Sequence, residues 1–355
     1  MPAKRSKVKI QRSKSVGSKP STLYPLPSTL IKTVSESFIA RYRPESQSTD
    51  WGQSLAMYGL LRSLSIDDNP KVRAYLRRWL AFHLAEGVHV NYFCGSWSFG
   101  LLYPDVIREF PEFQIQLRDT ALRIYEFIRD KALRNGEGIL LHNVDLPNIY
   151  IDTLSYSAVV LSKIGPMLGR PWEDEAVKQI ALHLERLQDG EKPFFIHCEE
   201  NNGGLRSEGS WARGNGWVMM TLAEILPLLD KKSARYKDLL VIFKQLASEL
   251  AKLQTKNGLW RTILDDPLAY EEVSASAMFL FAFAKIKKME LMGPVSLIEK
   301  ASRGIANSVD DAGRVLGVSE GTWPGTAVYY KSLATGEWWW GTGAFLLAMA
   351  ELASA

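Results

Sequence analysis

The sequence predicts an all-α fold, an (α/α)6 barrel in which six inner helices alternate with six outer ones. Two observations carry this. From residue 50 onward, apolar residues recur at spacings of three and four almost everywhere. The helices marked in this way are also of two kinds: amphipathic with a charged face, or small, apolar and nearly free of charge. A helix that is apolar all round is buried on every side. Regular alternation of such helices with amphipathic ones is hairpin repetition, and a ring is the arrangement that buries every inner helix.

Along the chain, the amphipathic segments are Lys71 to Leu84, Phe113 to Leu133, Glu175 to Leu187, Tyr236 to Leu253 and Pro294 to Asn307. The apolar ones open near residues 51, 152, 215, 272 and 341, and a cryptic sixth candidate opens near Gly95. Strand-like alternation is confined to Gly138 to His142 and Leu259 to Leu264. There is no βαβ rhythm and no Gly-rich phosphate loop, so a nucleotide-binding α/β fold is excluded.

Composition agrees. The 355 residues are 46% hydrophobic and 23% charged, which excludes disorder, collagen-like repeats and coiled coil. The formal charge of +4 comes from one end: residues 1 to 20 hold seven Lys and Arg and no acid. Removing those seven leaves 36 basic against 39 acidic residues, so the body is not a nucleic-acid partner by charge. We expect residues 1–25 to be a disordered basic arm ahead of a single barrel domain over 26–355. No apolar run approaches the ~20 residues that a membrane span needs. Cys94 and Cys198 lie far apart, form no CxxC motif, and fit reduced thiols in the cytoplasm. The five histidines show no metal-ligand spacing, and no cofactor is expected.

In such a ring the inner-helix mouths line one rim of the central cavity, and polar and aromatic residues concentrate there. The mouths carry Asp50-Trp51; His89, Asn91, Tyr92 and Trp97; Tyr150 and Asp152; Trp211, Arg213, Asn215 and Trp217; Tyr270, Glu272 and Ser274; and Trp338 to Trp340. Seven of the eleven tryptophans fall in these segments, too many for scatter. Aromatic faces stack on sugar rings, while acids and Arg bond hydroxyls and carboxylates. The residues alone point to a carbohydrate site.

The segment Gly209-Ser-Trp-Ala-Arg-Gly-Asn-Gly-Trp217 strongly resembles the signature of unsaturated uronyl hydrolases, glycoside hydrolase family 105, related to family 88. Ile151-Asp-Thr-Leu154, Gly258-Leu-Trp260, Glu272 to Phe279, Gly317-Val-Ser and Gly341 to Leu347 are similar to its supporting blocks. The resemblance runs from about residue 35 to the C-terminus. It implies an (α/α)6 barrel acting on oligosaccharides left by polysaccharide lyases, rhamnogalacturonan-type fragments preferred. Their terminal uronic acid carries a C4=C5 double bond, which is a vinyl ether. An exo-acting hydrolase protonates C4, adds water at C5 and releases the neighbouring sugar.

By this resemblance Asp152 is the general acid and base, although Asp before Thr-Leu-Ser also suits a helix N-cap. Arg213 is expected to clamp the uronate carboxylate through its fork. Trp51, Asn91, Tyr150, His197, Trp211, Trp217 and Trp340 complete the expected substrate contacts, with Asn215 and Glu272 reserved as helix caps. One departure stands out. Many members carry an aspartate before the second inner helix, where this chain reads His89-Val-Asn-Tyr-Phe-Cys-Gly95. The alternatives are an ordinary inverting glycosidase of the same fold, which needs two carboxylates, and a non-catalytic glycan-binding protein. The oligomeric state is not legible.

Overall fold

The computed structural model describes residues 25–287 and 295–354. All but the last residue of the expected basic arm, 1–25, lies outside the described residues. Helix α1 (Pro27–Arg41) is an outer helix ahead of the segments singled out from periodicity, with Pro27 at the position where a missing N–H is not needed. Helix α2 (Trp51–Ser63) is the first inner helix, capped by Asp50, whose Oδ1 accepts from Trp51 N at 2.7 Å. The outer helix α3 (Pro70–Glu86) follows, capped by Asn69.

At the second inner position the chain forms a 3₁₀ segment, Cys94–Leu102, and then the short helix α4 (Asp105–Glu109). Ser96 and Ser98 explain the tighter winding. Their hydroxyls donate to Asn91 O and Gly95 O, offering the backbone a local alternative to α-helix. The outer helix α5 (Gln114–Glu126) runs on through a π-helical turn, Phe127–Lys131. A second π-helical turn, Ser155–Val159, opens the third inner helix, α6 (Val160–Leu168). The remaining pairs are α7 (Glu173–Leu187) with α8 (Ala212–Ile225), and α9 (Ala234–Leu253) with α10 (Val273–Lys287). Helix α11 (Val295–Ala306) is outer, α12 (Ala327–Ser332) is short, and α13 (Trp339–Ala353) is the last inner helix.

The ring closes where α13 packs on α2. A Cβ at Gly343 would lie 2.4 Å from Leu55 O, and one at Gly59 would lie 2.8 Å from Gly343 O. Only glycine allows this backbone approach. Leu55, Met219, Phe279 and Phe345 are fully buried on the inner helices, each side chain contributing roughly 1.5–3 kcal/mol of hydrophobic stabilisation.

Six charges near one end of the inner elements alternate in sign around the ring: Arg62, Asp105, Lys163, Glu224, Lys285 and Glu351. Lys285 Nζ is 2.8 Å from Glu224 Oε2, and Tyr58 links Lys163 to the same carboxylate through bonds of 2.9 and 3.2 Å. Arg62 lies 3.3 Å from Asp105 and 3.9 Å from Glu351. Burial alone would raise the Glu224 carboxyl, but Lys163 and Lys285 outweigh it and hold it down at about 2. This ionic floor seals one end of the barrel. The other end is open, and three two-stranded ribbons lie there: β1 (Ile149–Tyr150) with β2 (Cys198–Glu199), β3 (Trp260–Arg261) with β4 (Glu271–Glu272), and β5 (Val318–Ser319) with β6 (Thr335–Gly336).

Candidate active site

The ribbons place the site. In the first, Tyr150 pairs with Cys198, and just beyond it Ile151 N donates to His197 O at 2.9 Å. That register sets Asp152 beside His197: Nε2 lies 3.3 Å from Asp152 Oδ2. The His197 ring is buried, and its Nδ1 lies 3.1 Å from the Tyr330 hydroxyl. Burial lowers the His197 pKa, with Asp152 pulling it partly back, so the ring is neutral near neutral pH. With Tyr330 donating to Nδ1, Nε2–H donates to Asp152. The other carboxylate oxygen, Oδ1, is buried and has no hydrogen-bond partner. Asp152 therefore caps no helix through its side chain.

Asn215 holds the histidine strand in place. Its Oδ1 accepts from Phe195 N at 3.0 Å, and its Nδ2 donates to Phe195 O and Trp211 O at 2.9 Å each. Glu272 caps α10 by accepting from Ser274 N and Ala275 N, and also receives Ser319 N at 2.9 Å.

Arg213 is almost fully buried, its guanidinium 4.7 Å from the Trp211 ring centre and 5.5 Å from that of Trp340. Its terminal nitrogens are committed. One donates to Ser319 O and Oγ, the other to Glu320 O and Thr322 Oγ1 at 3.1 and 2.6 Å. The fork expected to meet a uronate carboxylate thus holds the 319–322 loop against the cavity, and Arg213 reaches the cavity as a charged wall.

These residues line a cavity of about 380 Å³ at the open end of the barrel. The structure brings together Trp51, Tyr150, Asp152, His197, Trp211, Arg213 and Trp217 around it. Two expected contacts lie elsewhere. Asn91 is exposed, and its Oδ1 accepts from Phe93 N at 2.9 Å, the ordinary turn use of an asparagine. Trp340 sits behind the wall, stacked between Trp51 (4.6 Å) and Trp338 (5.0 Å). Asp152 is the one carboxylate among the lining residues. Asp50 spends Oδ1 on the α2 cap, and burial raises its pKa.

Sequence reasoning missed Phe93, His142, Tyr156, Thr322 and Trp323 on the lining. His142 stacks on Tyr150 at 4.1 Å, its Nδ1 lies 3.0 Å from Thr153 Oγ1, and burial lowers it to about 4. The signal for Trp323 was present: a tryptophan between Gly321-Thr322 and Pro324, in a stretch without helical periodicity. Among the described residues, no group of three or more His, Cys, Asp or Glu could hold a metal ion. No described helix is long and apolar enough to cross a membrane.

The model of Glycosyl Hydrolase Family 88 matches residues 30–355. The chain belongs to glycosyl hydrolase family 88. As a member it is a glycoside hydrolase. It is 30% identical over 282 residues to the unsaturated rhamnogalacturonyl hydrolase YesR of Bacillus subtilis, covering 77% of this chain and 80% of that protein. It is 36% identical over 152 residues to an unsaturated 3S-rhamnoglycuronyl hydrolase of Formosa agariphila, covering 40% of this chain and 38% of the other. Among solved structures, a possible family 105 member from Klebsiella pneumoniae superposes with a TM-score of 0.85 at 24% identity, covering 99% of both chains. The unsaturated glucuronyl hydrolase of Bacillus sp. GL1 superposes with a TM-score of 0.69 at 16% identity, covering 92% of this chain and 96% of that one. The family 88 barrel is thus the all-α ring that the helix pattern predicted.

Proposed function

We propose that this family 88 hydrolase removes a 4,5-dehydro uronic acid from the non-reducing end of lyase-generated oligosaccharides, of rhamnogalacturonan type, by hydrating the vinyl ether. The observation that carries the reading is the single lining carboxylate, with one oxygen on His197 and the other unpartnered. A direct inverting displacement needs two carboxylates about 6.5–9.5 Å apart to protonate the leaving oxygen and activate water. Hydration needs one.

In this reading Asp152 gives its proton to C4, and the positive charge spreads over C5 and the ring oxygen. Water adds at C5 and returns a proton to Asp152. The resulting C5 hemiketal opens to a ketone and a C1 hemiacetal, which expels the neighbouring sugar as an alcohol and leaves an aldehyde. His197 orients the carboxylate by donating to Oδ2 as a neutral ring. The aromatic faces of Trp51, Trp211 and Trp217 suit a sugar ring at this depth, and the Arg213 charge favours a uronate. The homology to YesR, an unsaturated rhamnogalacturonyl hydrolase, supports the rhamnogalacturonan preference. The closed end of the cavity supports exo action.

The test is a panel of lyase-generated oligosaccharides, watched for loss of the conjugated-acid absorbance. Loss with rhamnogalacturonan fragments fastest is the expected result, and no loss with any member contradicts it. We also propose that the barrel from residue 26 suffices and that it works in a reducing cytoplasm, with Cys94 and Cys198 as buried free thiols. A chain beginning at Ser21 should retain full activity on the same panel.

A further inference from the structure

Tyr156 stands four residues beyond Asp152, one turn deeper along the third inner element. This i, i+4 spacing sets both side chains on one face, and both line the cavity. Tyr156 lies inside the π-helical turn Ser155–Val159, and its backbone N reaches back to Asp152 O at 3.5 Å. Such turns occur frequently at functional sites. Trp217 meets the phenol ring edge-on, with ring centres 5.2 Å apart, and fixes its direction.

The hydroxyl is an orphan. Tyr156 is 2% exposed, yet no described group lies within hydrogen-bonding distance of its hydroxyl. A buried hydroxyl that makes no hydrogen bond costs stability, and a bound acceptor would recover it. Burial pushes the phenol well above its usual range, with Asp152, Cys94 and Asp50 adding to the rise and Arg213 opposing it. The group therefore keeps its proton. It is a neutral donor on the cavity wall, in the field of both Asp152 and Arg213.

Resting on the proposed hydrolysis of unsaturated uronides, we propose that the Tyr156 hydroxyl donates a hydrogen bond to the uronate carboxylate of the substrate. The Arg213 fork cannot make this directional contact, because its terminal nitrogens hold the 319–322 loop. C4, which Asp152 must reach, has two ring neighbours: C5 with the carboxylate and C3 with a hydroxyl. The positive Arg213 wall selects the carboxylate at this place. A hydrogen bond to an ionised acceptor is also roughly twice as strong as one to a neutral acceptor.

The experiment compares Tyr156→Phe with the wild type on an unsaturated disaccharide and on its uronate methyl ester, which carries no charge. Steady-state kinetics are measured on both. Calorimetry measures binding of both to the Asp152→Asn variant, with and without Tyr156→Phe. The expected result on the acid is a loss of kcat/KM of roughly tenfold or more, the worth of a hydrogen bond to a charged group, carried mainly by KM. The ester, whose carbonyl still accepts a neutral hydrogen bond, should lose only about threefold. Calorimetry should show the same split. The melting temperature should hold or rise, since phenylalanine keeps the ring against Trp217 and removes only the orphan hydroxyl. A loss on the acid no larger than about threefold, an equal loss on both substrates, or a lower melting temperature overturns the assignment while the hydrolysis stands. Turnover of neither substrate by the wild type overturns the hydrolysis and the assignment together.

Discussion

His197 Nε2 lies 3.3 Å from Asp152 Oδ2, and on its far side Nδ1 lies 3.1 Å from the Tyr330 hydroxyl, so one neutral imidazole bridges a buried phenol and the cavity carboxylate. His197 is a positioning residue in this account. His197→Ala should lower kcat by roughly tenfold or more, the worth of a hydrogen bond to a charged group, with a smaller change in KM. Tyr330→Phe should move kcat in the same direction by less. A change confined to KM would mean that His197 only contacts substrate.

Asp152→Asn keeps the shape and removes the transferable proton. We expect kcat to fall by at least ~10²–10⁴-fold, the usual range for a general acid and base, with binding and melting temperature largely intact. Steady-state rates and a thermal scan check both halves. A variant with more than about a tenth of the wild-type kcat would lie outside that range and remove Asp152 from the mechanism.

Arg213→Lys should be costly for a reason other than substrate recognition. Lysine cannot replace four donations to Ser319, Glu320 and Thr322. Loss of these charged bonds should destabilise the protein by about 2–4 kcal/mol and loosen the cavity wall, lowering kcat/KM on every substrate. Denaturant titration and kinetics together check it. An unchanged stability with a defect only on uronides would restore the fork to the uronate carboxylate.

Much of the ring was legible because inner helices are apolar on all faces, which no surface helix can be. Trp51, Val273 and Trp339 open α2, α10 and α13 within two residues of the expected starts. The second inner position was legible only as a candidate. Its Gly and Ser residues carry too little hydrophobic signal to separate 3₁₀ from α, and the serine hydroxyls decide it locally. The ionic floor was illegible, since its charges stand on separate inner elements and only closure brings Arg62, Glu224 and Lys285 together. Asp152 and Arg213 were legible by position, but the Arg213 partners lie more than a hundred residues away, so sequence could not show where its donors go.

The floor predicts acid lability. The Glu224 pKa is depressed to about 2, so its contribution is full above the ordinary carboxylate range near ~4.3 and is lost as pH falls toward 2. His142 and His183 are lowered to about 4, so stability also falls as pH drops from about 6.5, where the unfolded histidines take protons that the folded ones refuse. The melting temperature should decline steadily from pH 6.5 to 3. Glu224→Gln should cost about 3–5 kcal/mol at neutral pH by stranding Lys163 and Lys285, and should flatten the decline below pH ~4.3. A wild-type melting temperature flat from pH 6.5 to 4 would contradict the histidine assignment.

The central claim is that one carboxylate suffices because the bond it attacks is a vinyl ether. Its most direct test is release of the neighbouring sugar from an unsaturated disaccharide and from its saturated twin, followed side by side by mass spectrometry. The account predicts steady hydrolysis of the unsaturated disaccharide and a twin cleaved at least ~10³-fold more slowly, since the twin has no C4=C5 bond for Asp152 to protonate. Comparable rates on both would contradict it and require a second carboxylate that the cavity lining does not contain.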